Sequence, residues 1–184
     1  MPGFIETSAA DTLIILGDAG INYFGRAKDW AFKCELSRVL PITLLCIHGN
    51  HERRPESVGT YQEAMWHGGI VYVEPSFQNL LFAKDGEVYD IEGKRCIAIG
   101  GAYSVDKPYR LAQGWHWFSD EQPSPEIKAR VEELAAEKTF FALRKRFLAF
   151  EKRFFEDFHM RLLRRGRGRL LLQHPHLPVK VTLE

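Results

Sequence analysis

Two short apolar runs frame the first third of the chain. Residues 11–16 read D-T-L-I-I-L and stop at Gly17-Asp18, and residues 42–47 read I-T-L-L-C-I and stop at His48-Gly49-Asn50-His51-Glu52. Runs of this length without polar alternation predict strands buried on both faces, the kind found inside parallel sheets. Between them, residues 26–40 space Ala27, Trp30, Ala31 and Cys34 as one helical face and end before Pro41, which disfavours helix at the residue preceding it. Strand, helix and strand with short connections predict a right-handed parallel crossover.

Beyond it the texture changes. Residues 70–73, 80–83, 87–91 and 95–99 predict short strands, with tight turns at Asp85-Gly86 and Glu92-Gly93, in an antiparallel meander leading to Gly100-Gly101. A helix is expected to open at Ser124-Pro125-Glu126, with Ile127, Val131, Leu134 and Ala135 as its apolar face. From there Phe140, Leu143, Phe147, Phe150, Phe154, Phe158 and Leu162 fall three or four apart and predict one continuous helical stripe. A Gly/Arg break at 164–169 and a short strand at 170–172 then precede His174-Pro175-His176.

Charge divides the chain where the stripe begins. The net charge is +1, yet residues 138–169 carry eleven Lys/Arg against three Asp/Glu, which leaves the first 137 residues strongly acidic. Two segments are therefore expected, 1–137 and 138–184. With 45% hydrophobic and 27% charged residues, the composition is that of a soluble globular domain. No apolar stretch approaches the ~20 residues of a membrane span, and no secretory leader is visible. Cys34, Cys46 and Cys96 form no C-x-x-C pair, which predicts buried thiols in a reducing cytoplasm.

Both strands end in polar clusters, and the carboxyl edge of an open parallel sheet is where ligands bind. Asp18 can offer two oxygens and bridge two cations, Asn50 a neutral carbonyl oxygen, and His51 an imidazole. Mixed oxygen and nitrogen ligation suits Mn, Fe or Zn, and oxygen alone suits Mg.

Gly17-Asp18 and Gly49-Asn50-His51-Glu52 resemble the second and third signature motifs of the calcineurin-like metallophosphoesterases. L-I-I-L-G-D-A-G-I-N-Y-F-G, W-H-G-G at 66–69 and G-G-A-Y-S-V-D-K-P-Y-R at 100–110 are similar to a bacterial and phage branch of that family. The resemblance covers residues 11–137. It implies an α/β fold, a metallophosphoesterase-type β-sandwich flanked by helices, and hydrolysis of a phosphoester substrate with two divalent metal ions (Mn, Fe, Zn or Mg). It implies Asp18 as the bridging carboxylate, Asn50 as a ligand of the second metal, and His51 as the group that protonates the leaving group or steadies the phosphoryl oxygens. Tyr103, Asp106, Lys107 and Arg110 are expected to line the substrate side, with Arg110 best suited to bidentate phosphate contact.

The departures from the family are as specific. No Asp-x-His precedes Gly17-Asp18, no Gly-His-x-His closes the chain, and Ile21-Asn22 stands where the family has Asp-Arg, a change that the bacterial and phage branch tolerates. The resemblance thus implies an incomplete domain, weak or inactive, with a basic Phe-rich helix at its C-terminal end. His174 follows a short apolar run and is the candidate for the missing fourth-motif ligand. Alternatively, on codons CAC CCA CAC CTG CCC for residues 174–178, the next reading frame spells Thr-His-Thr-Cys-Pro, the form that motif takes in the branch, and the tail is frame-shifted.

Other readings compete. The basic Phe stripe could bind nucleic acid or an anionic membrane surface, although Glu151, Glu156 and Asp157 interrupt its basic face. A non-catalytic remnant of the fold is the further alternative. His48, His67, His116 and His159 are expected to be hydrogen-bonded structural histidines, and Trp115, Trp117 and Phe118 a core plug beneath a loop.

Overall fold

Strands β1 (Thr12–Leu16) and β2 (Thr43–Ile47) lie side by side and parallel, Leu16 opposite Ile47, with helix α1 (Arg26–Val39) as the crossover between them. The computed structural model describes residues 8, 10–136 and 141–144, all within the first of two units, Met1–Leu148. The remaining elements are a short 3-10 turn (Pro55–Ser57), β3 (Gln62–Trp66), β4 (Gly69–Val73), β5 (Leu80–Ala83), β6 (Val88–Ile91), β7 (Lys94–Ile99), α2 (Lys107–Ala112), α3 (Pro125–Ala136) and β8 (Phe141–Arg144).

These strands make two sheets, one ordered β1-β2-β5-β4-β3 and one ordered β6-β7-β8. The period-two rule shows how they meet. Leu45, Ile47, Val71, Val73, Leu81 and Ala83 from the first sheet share one buried cluster with Tyr89 and Ala98 from the second. The Tyr89 hydroxyl reaches across, donating to the Ile70 carbonyl at 2.6 Å and accepting from the Lys84 N–H at 2.9 Å. On the opposite face, Lys33 of α1 pairs with Glu74 at 2.5 Å and lies over the Tyr61 ring, which packs edge-on against Phe82. The chain is therefore a mixed α/β protein with two facing sheets.

Several sequence expectations need correction. β1 is not buried on both faces: Leu13 and Leu16 are exposed, because β1 is the edge strand and only β2 pairs with it among the described residues. Nor do the strands after residue 70 form one meander. β4 and β5 pair antiparallel, as do β6 and β7, but β5 also pairs in parallel with β2, and β6 and β7 belong to the other sheet. Helix α1 buries Asp29, Phe32, Lys33 and Leu36, and leaves exposed the face with Ala27, Trp30, Ala31 and Cys34. Cys34 is accordingly an exposed thiol, while Cys46 and Cys96 are buried. In α3, Val131 is buried as expected but Ala135 is exposed.

The Phe stripe also begins differently. Phe141–Arg144 is a strand, β8, parallel to β7 and following α3 after a short connection. Pairing with an unsatisfied edge of β7 overrides a helical spacing that has few local contacts to hold it. The rest of the stripe and His174 lie outside the described residues.

Candidate functional site

Where β1 ends, the chain turns sharply. Gly17 and Asp18 both have positive φ, 91° and 54°, and the left-handed region is costly for a residue with a Cβ. Strain of this kind persists only where surrounding contacts hold it. Here the contact is with the loop after β2: the His51 N–H donates to Asp18 Oδ1 at 3.1 Å, and Asp18 is buried. The parallel register carries the two loops to the same edge of the sheet, since Leu16 and Ile47 are paired and each loop starts one residue later.

Asn50, also buried, is oriented by Ser104, whose Oγ accepts from Asn50 Nδ2 at 3.0 Å. His51 is more open. Its Nε2 lies 4.0 Å from Asp106 Oδ1, within ion-pair range but beyond a hydrogen bond. Asp106 is held in turn by Arg110, whose Nη1 is 3.5 Å from Oδ2. Asp18, Asn50, His51, Asp106 and Arg110 thus form one connected corner.

Two expected substrate contacts are placed differently. Arg110 is buried, with its Nε donating to the His116 carbonyl at 3.0 Å and Nη1 facing Asp106, so its guanidinium is not an open fork. The Lys107 ammonium lies 3.5 Å above the centre of the Trp117 ring. Tyr103 is exposed, and His174 lies outside the described residues.

Glu52 holds the corner together, a role that sequence reasoning did not give it. Its side chain is fully buried and accepts backbone N–H bonds from Gly49 at 3.0 Å, Gly20 at 3.0 Å and Ala19 at 3.4 Å. Burial outweighs these bonds and pushes its carboxyl up to about 7. The available signal was the acid itself, one residue beyond the histidine in a turn between buried elements.

His48 departs from the expectation of a hydrogen-bonded histidine. It is almost fully buried, and neither ring nitrogen has a partner among the described residues. Burial, with the Arg54 cation nearby, lowers its pKa to about 2 and keeps the imidazole neutral. Next to it, Arg54 pairs with Asp85 at 2.6 Å, and Asp85 Oδ1 accepts the Gly100 N–H at 2.7 Å, which ties the loop after β7 to the same edge. Burial raises the Asp85 carboxyl in spite of Arg54.

Of the expected metal ligands, the described residues at the corner supply one carboxylate, Asp18, and one amide, Asn50. Among the described residues, no group of three or more His, Cys, Asp or Glu side chains is placed to hold a metal ion. A divalent ion takes at least about four ligands, so these residues do not fit a complete two-metal centre. Neither a family model, nor a curated protein, nor a solved structure matches the chain.

Proposed function

We propose that the chain is a phosphoester hydrolase domain of the calcineurin-like kind, with weak activity because its described residues carry only part of the metal-ligand set. The observation that supports this is the His51 N–H bond to Asp18 Oδ1. It brings the G-D and G-N-H turns, 33 residues apart in sequence, to one point at the carboxyl edge of parallel strands. Asp18 and Asn50 then present two oxygen-bearing side chains at that point, each held by the fold. His51 stands beside them with a ring nitrogen towards Asp106, positioned to hold or deliver a proton at a leaving oxygen.

Equilibrium dialysis against Mn²⁺ tests the reading directly. The wild-type chain should retain more Mn²⁺ than Asp18→Ala, and any hydrolysis of a generic phosphodiester should be lost in His51→Ala. Equal Mn²⁺ retention by the wild type and Asp18→Ala would sink the proposal. A scaffold that binds without turnover is the second reading, favoured by the sparse donor set. It is distinguished by Mn²⁺ retention at Asp18 with no hydrolysis.

A further inference from the structure

Beside this corner lies a cavity of about 260 Å³ lined by Arg53, Ser57, Trp117, Phe118, Ser119 and Asp120. Arg53 is two residues after His51, and its N–H donates to the Asn22 carbonyl at 3.2 Å, so the cavity adjoins both site loops. The Arg53 side chain is half-buried, and among the described residues it forms no ion pair. Asp29, whose carboxyl feels the charge of Arg53, has that carboxylate engaged by the Phe24 and Gly25 N–H groups. A half-buried guanidinium in this state suits an anion.

The rest of the lining suits a ring. Trp117 is held by its Nε1–H bond to Glu121 at 2.9 Å and by the Lys107 ammonium over its face, so the indole is a fixed platform. Asp120 Oδ2 accepts from Ser57 Oγ at 2.7 Å and from the Arg54 N–H at 3.3 Å. Its other oxygen, Oδ1, has no hydrogen-bond donor among the described residues. A carboxylate oxygen and two serine hydroxyls in a space with an indole call for a flat ligand with N–H donors. The volume is just under the ~300–1,000 Å³ of pockets for drug-sized molecules, room for one base and its phosphate.

We infer that this cavity binds a mononucleotide, its base against Trp117 and Asp120 and its phosphate at Arg53. This names the substrate class of the site proposed above. It rests on that reading for turnover, but not for binding.

Calorimetric titration in EDTA with adenosine 5′-monophosphate, adenosine and inorganic phosphate tests it without metal or catalysis. The nucleotide should bind at least about tenfold more tightly than either fragment, since base stacking and the charge contact each add to affinity. Trp117→Leu and Arg53→Ala should each weaken it by about tenfold, while Trp117→Phe and Arg53→Lys keep part of the affinity. Circular dichroism checks that each variant is folded. Phosphate binding as tightly as the nucleotide, or unchanged nucleotide affinity in folded Trp117→Leu and Arg53→Ala, would overturn the inference. The titration contains no metal, so it is independent of the Mn²⁺ retention tested above. Failure of the Mn²⁺ test at Asp18 therefore leaves this result standing, and the two readings fail separately.

Discussion

The Gly20 N–H donates to the carboxylate of Glu52 at 3.0 Å, across 32 residues of sequence and with the acid fully buried. The same carboxylate accepts the Gly49 N–H, so one side chain fastens the loop after β1 to the loop after β2. Asp18 lies inside the first loop and Asn50 inside the second. Their proximity therefore depends on a residue that need not touch a substrate.

That placement gives stability a pH dependence. Glu52 titrates at about 7 in the folded chain, against 4.5 ordinarily, so the folded state holds its proton more tightly than the unfolded state. Stability attributable to this group should fall as pH rises from 4.5 to about 7 and then level off. Glu52→Gln removes the titration, but its amide meets donors with a donor and costs about 1–3 kcal/mol. Denaturation midpoints of both proteins across this range give the check. A difference between them that does not change with pH would refute it.

A second prediction concerns Lys33 and Glu74, an ion pair at 2.5 Å whose side chains are 5% and 7% exposed. The Thr60 hydroxyl also donates to Glu74, and the ammonium lies 4.9 Å from the Tyr61 ring centre. Lys33→Met leaves a buried carboxylate unpaired and should cost about 3–5 kcal/mol in urea unfolding, while adding Glu74→Leu should recover much of that loss. A cost below about 1 kcal/mol for the single variant would show that the pair is solvated.

The local elements were more legible than their pairing. The two apolar runs, the Pro41 stop and the Ser124-Pro125 start all mark real boundaries, because strand burial and helix capping act over a few residues. The face of α1 was misread because Asp29 and Lys33 are buried by partners distant in sequence. Asp29 takes the Phe24 and Gly25 N–H groups, and Lys33 takes Glu74. β3 escaped notice because Q-E-A-M-W has no strong strand pattern. Its signal was the turn: His67 and Gly68 both have positive φ, 47° and 84°, and connect Trp66 to Gly69 as a two-residue hairpin loop. At the site, the edge shared by Asp18 and Asn50 could be read from two runs ending in G-D and G-N-H. The burial of Arg110 could not, since its partners Asp106 and the His116 carbonyl are brought there by the turn of α2.

The link between the sheets yields a third prediction. Tyr89 is fully buried, and its hydroxyl both donates to Ile70 and accepts from Lys84. Tyr89→Phe keeps the ring in the core and leaves the Lys84 N–H and the Ile70 carbonyl with only their own 3.3 Å bond to each other, at a cost of about 0.5–1.5 kcal/mol. Chemical denaturation measures it, and a variant as stable as the wild type would mean that water or another group replaces the hydroxyl.

The closest approach of the two site loops gives the last prediction. A Cβ built on Gly49 would lie 2.0 Å from Asp18 Oδ1 and 2.1 Å from the Asp18 backbone nitrogen. The carboxylate could rotate away, but the backbone cannot move without breaking the bonds that Glu52 makes to Ala19 and Gly20. Gly49→Ala should therefore separate the loops and destabilise the chain by more than the roughly 1 kcal/mol typical of a point mutation, with loss of any Mn²⁺ retained at Asp18. Gly59 is the internal control, because a Cβ there meets nothing within 4 Å and its φ is not positive. Gly59→Ala should be neutral or stabilise by about 0.4–1 kcal/mol, through the lower entropy of the unfolded chain. Thermal unfolding and Mn²⁺ dialysis of the two variants side by side read both effects. Equal behaviour of Gly49→Ala and Gly59→Ala would mean that the loops are not in contact at Gly49, and that the corner joining Asp18 to His51 is not formed as described.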